Sequence, residues 1–124
     1  MSGTITFVDG GVIRTDTTFN TTSLLTIGSA ADTFAFESAD ATPVRKNVTH
    51  TAGETVITAN VNANSSTFNK LTNSGNFNTK GNFTSGVTEN DAAAEITVAG
   101  TYESGNLTNS GTISVSGAFE ADAT

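Results

Sequence analysis

The chain has 124 residues, room for one ordinary domain with its own core; only 14% are charged, and twelve Asp and Glu against five Lys and Arg give a formal net charge of −7. That balance repels a phosphate backbone, so nucleic acid is not an expected partner. Eight Phe residues and recurrent Ile, Val and Leu set the chain apart from disordered sequences, and the absence of cysteine excludes disulfides and thiolate metal sites.

The first residues, Met1 to Asp9, have no basic start, apolar run or small-residue cleavage site, so no secretory leader is expected there. No stretch is long and apolar enough for bilayer insertion. Short strands are expected at Thr4–Val8, Ser23–Ile27, Thr33–Phe36, Thr55–Val61 and Glu95–Tyr102, each bounded by Gly, Asn, Asp or Ser, with a turn at Asp9-Gly10-Gly11. The single helix-like stretch, Asn90 to Glu95, runs directly into β-branched Ile96-Thr97-Val98, and no helix is expected there.

Pro43, the only proline, precedes Arg45-Lys46, the one local concentration of positive charge. The pair reads either as a solvated loop or as a docking point for an acidic surface of a neighbouring subunit or capsid protein. His50, the only histidine, follows closely and reads as a surface or turn residue beside these cations, without the nucleophile or orienting group that catalysis needs. A polar stretch from Asn60 to Ser66 suggests a boundary that divides the chain into an N-terminal β domain, 1–63, for attachment and a repetitive β segment, 64–124, although the alternation Ile57, Ala59, Val61, Ala63 reads equally as a continuing strand.

The repeat is the most informative feature. Leu71-Thr72-Asn73-Ser74-Gly75-Asn76-Phe77-Asn78-Thr79-Lys80-Gly81-Asn82-Phe83 aligns with Leu107-Thr108-Asn109-Ser110-Gly111-Thr112-Ile113-Ser114-Val115-Ser116-Gly117-Ala118-Phe119 at an offset of 36, with seven of thirteen positions identical. Such internal similarity marks stacked supersecondary units. In steps of two, Leu107, Ile113, Val115 and Phe119 share one face with Leu71, Phe77 and Phe83, while Thr, Ser and Asn fill the other. With Phe68, these residues are the candidate core or inter-chain contacts. Two copies are fewer than the three or more that repeat folds need, so partner chains are expected to supply the missing stacking.

Chemistry is sparse. Glu89 with Asp91 and Glu37 with Asp40 are the closest carboxylate pairs in sequence, but neither has the apolar context that would raise one pKa for acid–base work. Glu89-Asn90-Asp91 offers oxygen ligands for Ca2+ at a spacing that matches neither the EF-hand nor the nonapeptide β-roll. No cofactor and no enzymatic activity are expected.

The phrase Gly105-Asn106-Leu107-Thr108-Asn109-Ser110-Gly111-Thr112-Ile113-Ser114-Val115-Ser116-Gly117 resembles the Gly-Asn-Leu-Thr and Val-Ser-Gly repeats of phage tail-fibre and head-fibre shafts, with Asn82 to Gly86 a fainter echo. It is also similar to the β-helical passengers of filamentous haemagglutinin-type adhesins. The likeness covers about the last 55 residues and implies an all-β fold, a β-solenoid or an intertwined β-helix of three chains. It further implies a homotrimeric, capsid-decorating or fibre subunit of a virion that binds capsid proteins and, at its tip, a host-surface glycan or protein. The alternative is a secreted adhesin or extracellular filament subunit.

Overall fold

Alternating apolar and polar residues, interrupted every few positions by Asn-, Ser- and Gly-rich corners, give strands too short to bury a face by themselves. A computed structural model, describing residues 4–8, 10–28 and 33–123, shows how the chain solves this: it coils into a β-solenoid of about six turns, with no helix among the described residues. Of the turn expected at Asp9 to Gly11, Asp9 lies outside the described residues.

In chain order the strands are β1 (Ile5–Phe7), β2 (Gly11–Ile13), β3 (Thr17–Thr18), β4 (Leu24–Ile27), β5 (Thr33–Phe36), β6 (Val48–Ile57) and β7 (Asn60–Ala63). They continue as β8 (Ser66–Asn73), β9 (Asn76–Thr79), β10 (Phe83–Asn90), β11 (Glu95–Val98), β12 (Tyr102–Asn109), β13 (Thr112–Val115) and β14 (Phe119–Ala123). One sheet has the order β1-β4-β6-β8-β10-β12-β14, with β3 also on β6; the other has the order β13-β11-β9-β7-β5-β2. All strand pairs are parallel. From β6 to β13 each turn of the coil lays one longer strand in the first sheet and one four-residue strand in the second.

Phe83 pairs with Ser66, Tyr102 with Phe83 and Phe119 with Tyr102, so successive turns take 17, 19 and 17 residues. The 36-residue repeat is therefore two turns of the coil. The intervening copy, Thr88 to Tyr102, is disguised by two extra residues in the corner Asn90-Asp91-Ala92-Ala93-Ala94, where Ala93 takes a left-handed φ of 67°. Upstream, Thr55 to Ser66 is another copy. The segment 60–66, read as a boundary, forms β7 and the corner into β8; β6 pairs with β8 and β7 with β9 across it. The expected strands Thr55–Val61 and Glu95–Tyr102 each merged two strands that a corner separates, at 58–59 and 99–101.

Phe34, Val61, Phe77 and Ile96 stack down one sheet and Leu25, Leu71 and Leu107 rise from the other, within one continuous buried cluster from Phe19 to Leu107. Leu71, Phe77 and Phe83 have no exposure at all. The chain thus coils on itself as a β-solenoid, and turns that the sequence disguised supply stacked neighbours for the two recognised copies. Close approach is built into the corners. At Gly75 and Gly111 a Cβ would strike the carbonyl oxygens of Ala59 and Ala94 in the preceding turn, so only glycine fits these positions.

Phe119, expected to face inward, keeps its phase but lies on the last turn with 52% of its surface exposed. Truncation there should cost less than at its buried equivalent. In thermal or denaturant unfolding, Phe83→Ala is expected to lose about 3–5 kcal/mol and Phe119→Ala about 1–2 kcal/mol; equal losses would contradict this placement.

Candidate functional site

Two features stand out from the regular coil: its open C-terminal end and a hairpin over the second sheet. At the C-terminal end, side chains stack in columns because parallel in-register strands place equivalent residues directly above one another. The Phe83, Tyr102 and Phe119 rings lie nearly parallel at 4.8 Å between successive centroids. Such offset stacks add to the burial of each ring. Tyr102 is fully buried beneath Phe119, and its hydroxyl has no well-formed partner; the Thr88 and Ser104 hydroxyls beside it bond each other at 3.1 Å. Burial pushes the Tyr102 pKa above its ordinary 10.0, with those two hydroxyls pulling it back part of the way.

Beside the aromatic stack runs a column of asparagines at the corner between the two sheets. Asn73 Nδ2 donates to Asn90 Oδ1 at 3.0 Å and to the Glu95 carbonyl at 2.9 Å. Asn90 Nδ2 repeats the pattern one turn on, reaching Asn109 Oδ1 at 2.9 Å and the Thr112 carbonyl at 3.1 Å. Each amide therefore ties its corner both to the asparagine of the next turn and to the backbone carbonyl that opens that turn's short strand. The column ends at Asn109, whose Oδ1 accepts from Asn90 and Gly111 while its Nδ2 has no acceptor among the described residues.

Nothing described covers this end. β14 pairs only with β12, and β13 only with β11, so both leave a row of backbone N–H and C=O groups unpaired. Ile113 and Val115, buried positions in earlier turns, are only half-buried here. Of the expected contact residues, Phe68, Leu71, Phe77, Phe83 and Leu107 belong to the interior; Ile113, Val115 and Phe119 belong to the open end.

The hairpin occupies 37–45, between β5 and β6. It is closed by an antiparallel bridge between Glu37 and Arg45 and by the Ser38 amide donating to the Val44 carbonyl at 2.8 Å. Beside it, Thr42, Pro43, Val44, Arg45, Asn64 and Lys80 line a groove of about 420 Å³. A second groove, of about 350 Å³, again has Arg45 and Lys80 in its wall, with Asn78 and Thr97. Among the described residues Lys70 forms the ion pairs, to Glu54 at 3.9 Å and Glu89 at 4.0 Å, whereas Arg45 and Lys80 have no carboxylate partner. The expected pair Arg45-Lys46 is divided: Arg45 joins Lys80, while the Lys46 backbone ties the hairpin base to Phe36 and Asn64. Two turns of the coil separate Arg45 from Lys80, so adjacency in sequence could not find the pair; only the length of each turn could.

His50 is a correction. It is fully buried, with Nε2 2.9 Å from the Thr21 carbonyl and Nδ1 2.8 Å from the Thr55 hydroxyl. A carbonyl only accepts, so Nε2 carries a proton, and Nδ1 shares a second hydrogen bond with the Thr55 hydroxyl. The ring is a buried bracket holding the β6 irregularity between His50 and Glu54 against the preceding turn. Among the carboxylates, Glu89 accepts from Thr72 and Asp91 from Ser74, both in the turn before. No group of three or more His, Asp or Glu capable of holding a metal occurs among the described residues, and no helix is long and apolar enough to cross a membrane.

No protein-family model, curated protein or solved structure matches this chain.

Asn90→Ala is expected to cost about 2–4 kcal/mol, because it removes a buried amide that bonds the turns on both sides and leaves the buried Asn73 amide short of an acceptor, while Asn109→Ala at the open end stays within about 1 kcal/mol. Comparable losses in denaturant melts would contradict the column. For Tyr102 the folded state holds the phenolic proton more tightly than the unfolded chain, so the neutral ring's contribution is complete below pH 10 and drains away as pH rises through the folded pKa. Tyr102→Phe should melt at or above the wild-type temperature at neutral pH and lose less stability between pH 9 and 11, read by circular dichroism.

Proposed function

We propose that the protein is a non-enzymatic structural subunit, a capsid-decorating or fibre element of a virion, that self-associates and mediates attachment to a surface. The observation that carries self-association is the open end: a 52%-exposed Phe119 continuing a buried aromatic stack, flanked by two strands whose outer edges are unpaired. An exposed edge next to an apolar patch is a template for another chain.

Attachment falls to the hairpin. Arg45 and Lys80 are uncompensated cations in an otherwise acidic molecule, and the grooves they share suit an acidic surface of a capsid protein or an acidic host glycan. The virion assignment leans on the fibre-shaft resemblance of Gly105 to Gly117. The adhesin alternative shares both surfaces and differs in where the protein is found. Recovery of the chain with purified particles supports the virion reading, and recovery with the cell envelope or the medium supports the adhesin.

Sedimentation over a range of concentrations tests self-association directly. Wild type is expected to form species larger than the monomer, and Phe119→Glu, which places a charge on the exposed ring position, should shift the equilibrium at least tenfold toward monomer without changing the circular dichroism spectrum. Unchanged association of Phe119→Glu would remove the open end from the interface.

A further inference from the structure

Self-association, on which this inference rests, has a geometry that can be read from strand register. Through the second sheet runs the exterior column Val12, Ala35, Asn62, Asn78, Thr97, Ser114, and inside it the column Gly11, Phe34, Val61, Phe77, Ile96, Ile113. In the first sheet, Phe7 stands in the column that ends at Asn109, and Thr17 in the column that ends at Phe119. The two ends are therefore in phase. β14 pairs with Tyr102 to Leu107 and leaves Thr108 and Asn109 uncovered; at the other end Thr6 and Phe7 of β1 occupy those columns, with Ile5 in the Leu107 column that Ala123 also reaches, so the two strands meet end to end there, followed by β2 in the columns of β13 and β3 in those of β14. Among the described residues the outer edges of β1, β2 and β3 are as free as those of β13 and β14.

We propose that a second copy of this chain covers the open end head to tail, its β1, β2 and β3 adding in parallel register to β12, β13 and β14 of the first. Val115 then meets Ile13, apolar on apolar, and Ile113 lies over the Gly11 backbone. Asn109 then gains as an acceptor for its Nδ2 the carbonyl of Gly10, which stands in the column where Glu95 and Thr112 accept from the asparagines of the preceding turns.

Charge selects this pairing over the symmetric one. All five cations lie between Arg14 and Lys80, and beyond Lys80 the chain has only acids, six of them. Glu103 and Glu120 are already directly opposite each other on β12 and β14. Joining two C-terminal ends would gather both pairs at one junction, and like charges opposite each other destabilise a sheet. Head-to-tail stacking instead puts Thr18 beside Glu120, since Thr18 heads the column Thr49, Thr67, Thr84, Glu103, Glu120. Because the two surfaces are different and stack along the axis of the coil, repetition gives an open filament in which the coil continues from copy to copy.

The chain has no cysteine, so thiol cross-linking reports without background. Val12 and Ser114 are both exposed, and the proposed register makes them neighbours one strand spacing apart, about 4.8 Å. With a short bifunctional maleimide, Val12→Cys/Ser114→Cys in the full chain should give a ladder of covalent dimers, trimers and higher species. An equimolar mixture of the two single variants should give dimers only, and each single variant alone should stay monomeric. Dimers from Ser114→Cys alone would establish a tail-to-tail contact and overturn the register. Sedimentation of the wild type separates the two levels: association without cross-linking overturns the head-to-tail geometry alone, and a wild type that is monomeric at every concentration overturns the self-association reading with it.

Discussion

In-register parallel pairing is the constraint on which this molecule depends. Each turn of the coil must present the same kind of residue, at the same height, as the turn beneath it, because every backbone donor and acceptor and every interior side chain is completed by the neighbouring turn. That requirement explains features that look unrelated along the chain. Asparagine recurs at 73, 90 and 109 because each amide feeds a corner carbonyl in the next turn. Glycine recurs at the corners because the preceding turn's backbone leaves no room for a Cβ. Aromatic rings at 83, 102 and 119 stack because their strands are in register.

The same constraint makes the ends of the coil different from its middle. Interior turns satisfy one another; the last turn offers the same columns with nothing described above them. On the proposed reading, function is separated by position: stability in the middle turns, association at the ends, and surface recognition in the hairpin, the one place among the described residues where the chain leaves the coil. The hairpin can project without disturbing the coil because its base is fixed by the Lys46 backbone to both Phe36 and Asn64.

Much of this was written in the local pattern. Alternation set the inward phase of Leu71, Phe77, Phe83 and Leu107 correctly, and the repeat revealed a stacked architecture. The length of a turn was hidden for a physical reason: the Asn90 to Ala94 corner holds two more residues than Asn73 to Gly75, which removes the middle copy from a fixed-period search while leaving its strands in register. Upstream, the asparagine column changes to Ile57, Ile27 and Phe7, so the corner signature disappears although the column continues. His50 was illegible for a related reason. The irregularity between His50 and Glu54 shifts the inward phase partway along β6, and the cations at 45 and 46 belong to the hairpin and its base, not to the strand. The grouping of Arg45 with Lys80 could be found only once the length of a turn was known.

Amide hydrogen exchange, resolved by residue on the dilute protein, tests the central claim most directly, since stability that comes from stacked neighbours must vary with position along the coil. Slowest exchange is predicted in β8, β9 and β10, which have a turn on each side, with protection falling through β12 to the outer edges of β13 and β14, and rising there as concentration increases. Protection that is uniform along the coil, or as strong in β13 and β14 as in β9 and β10 in dilute solution, would contradict the account.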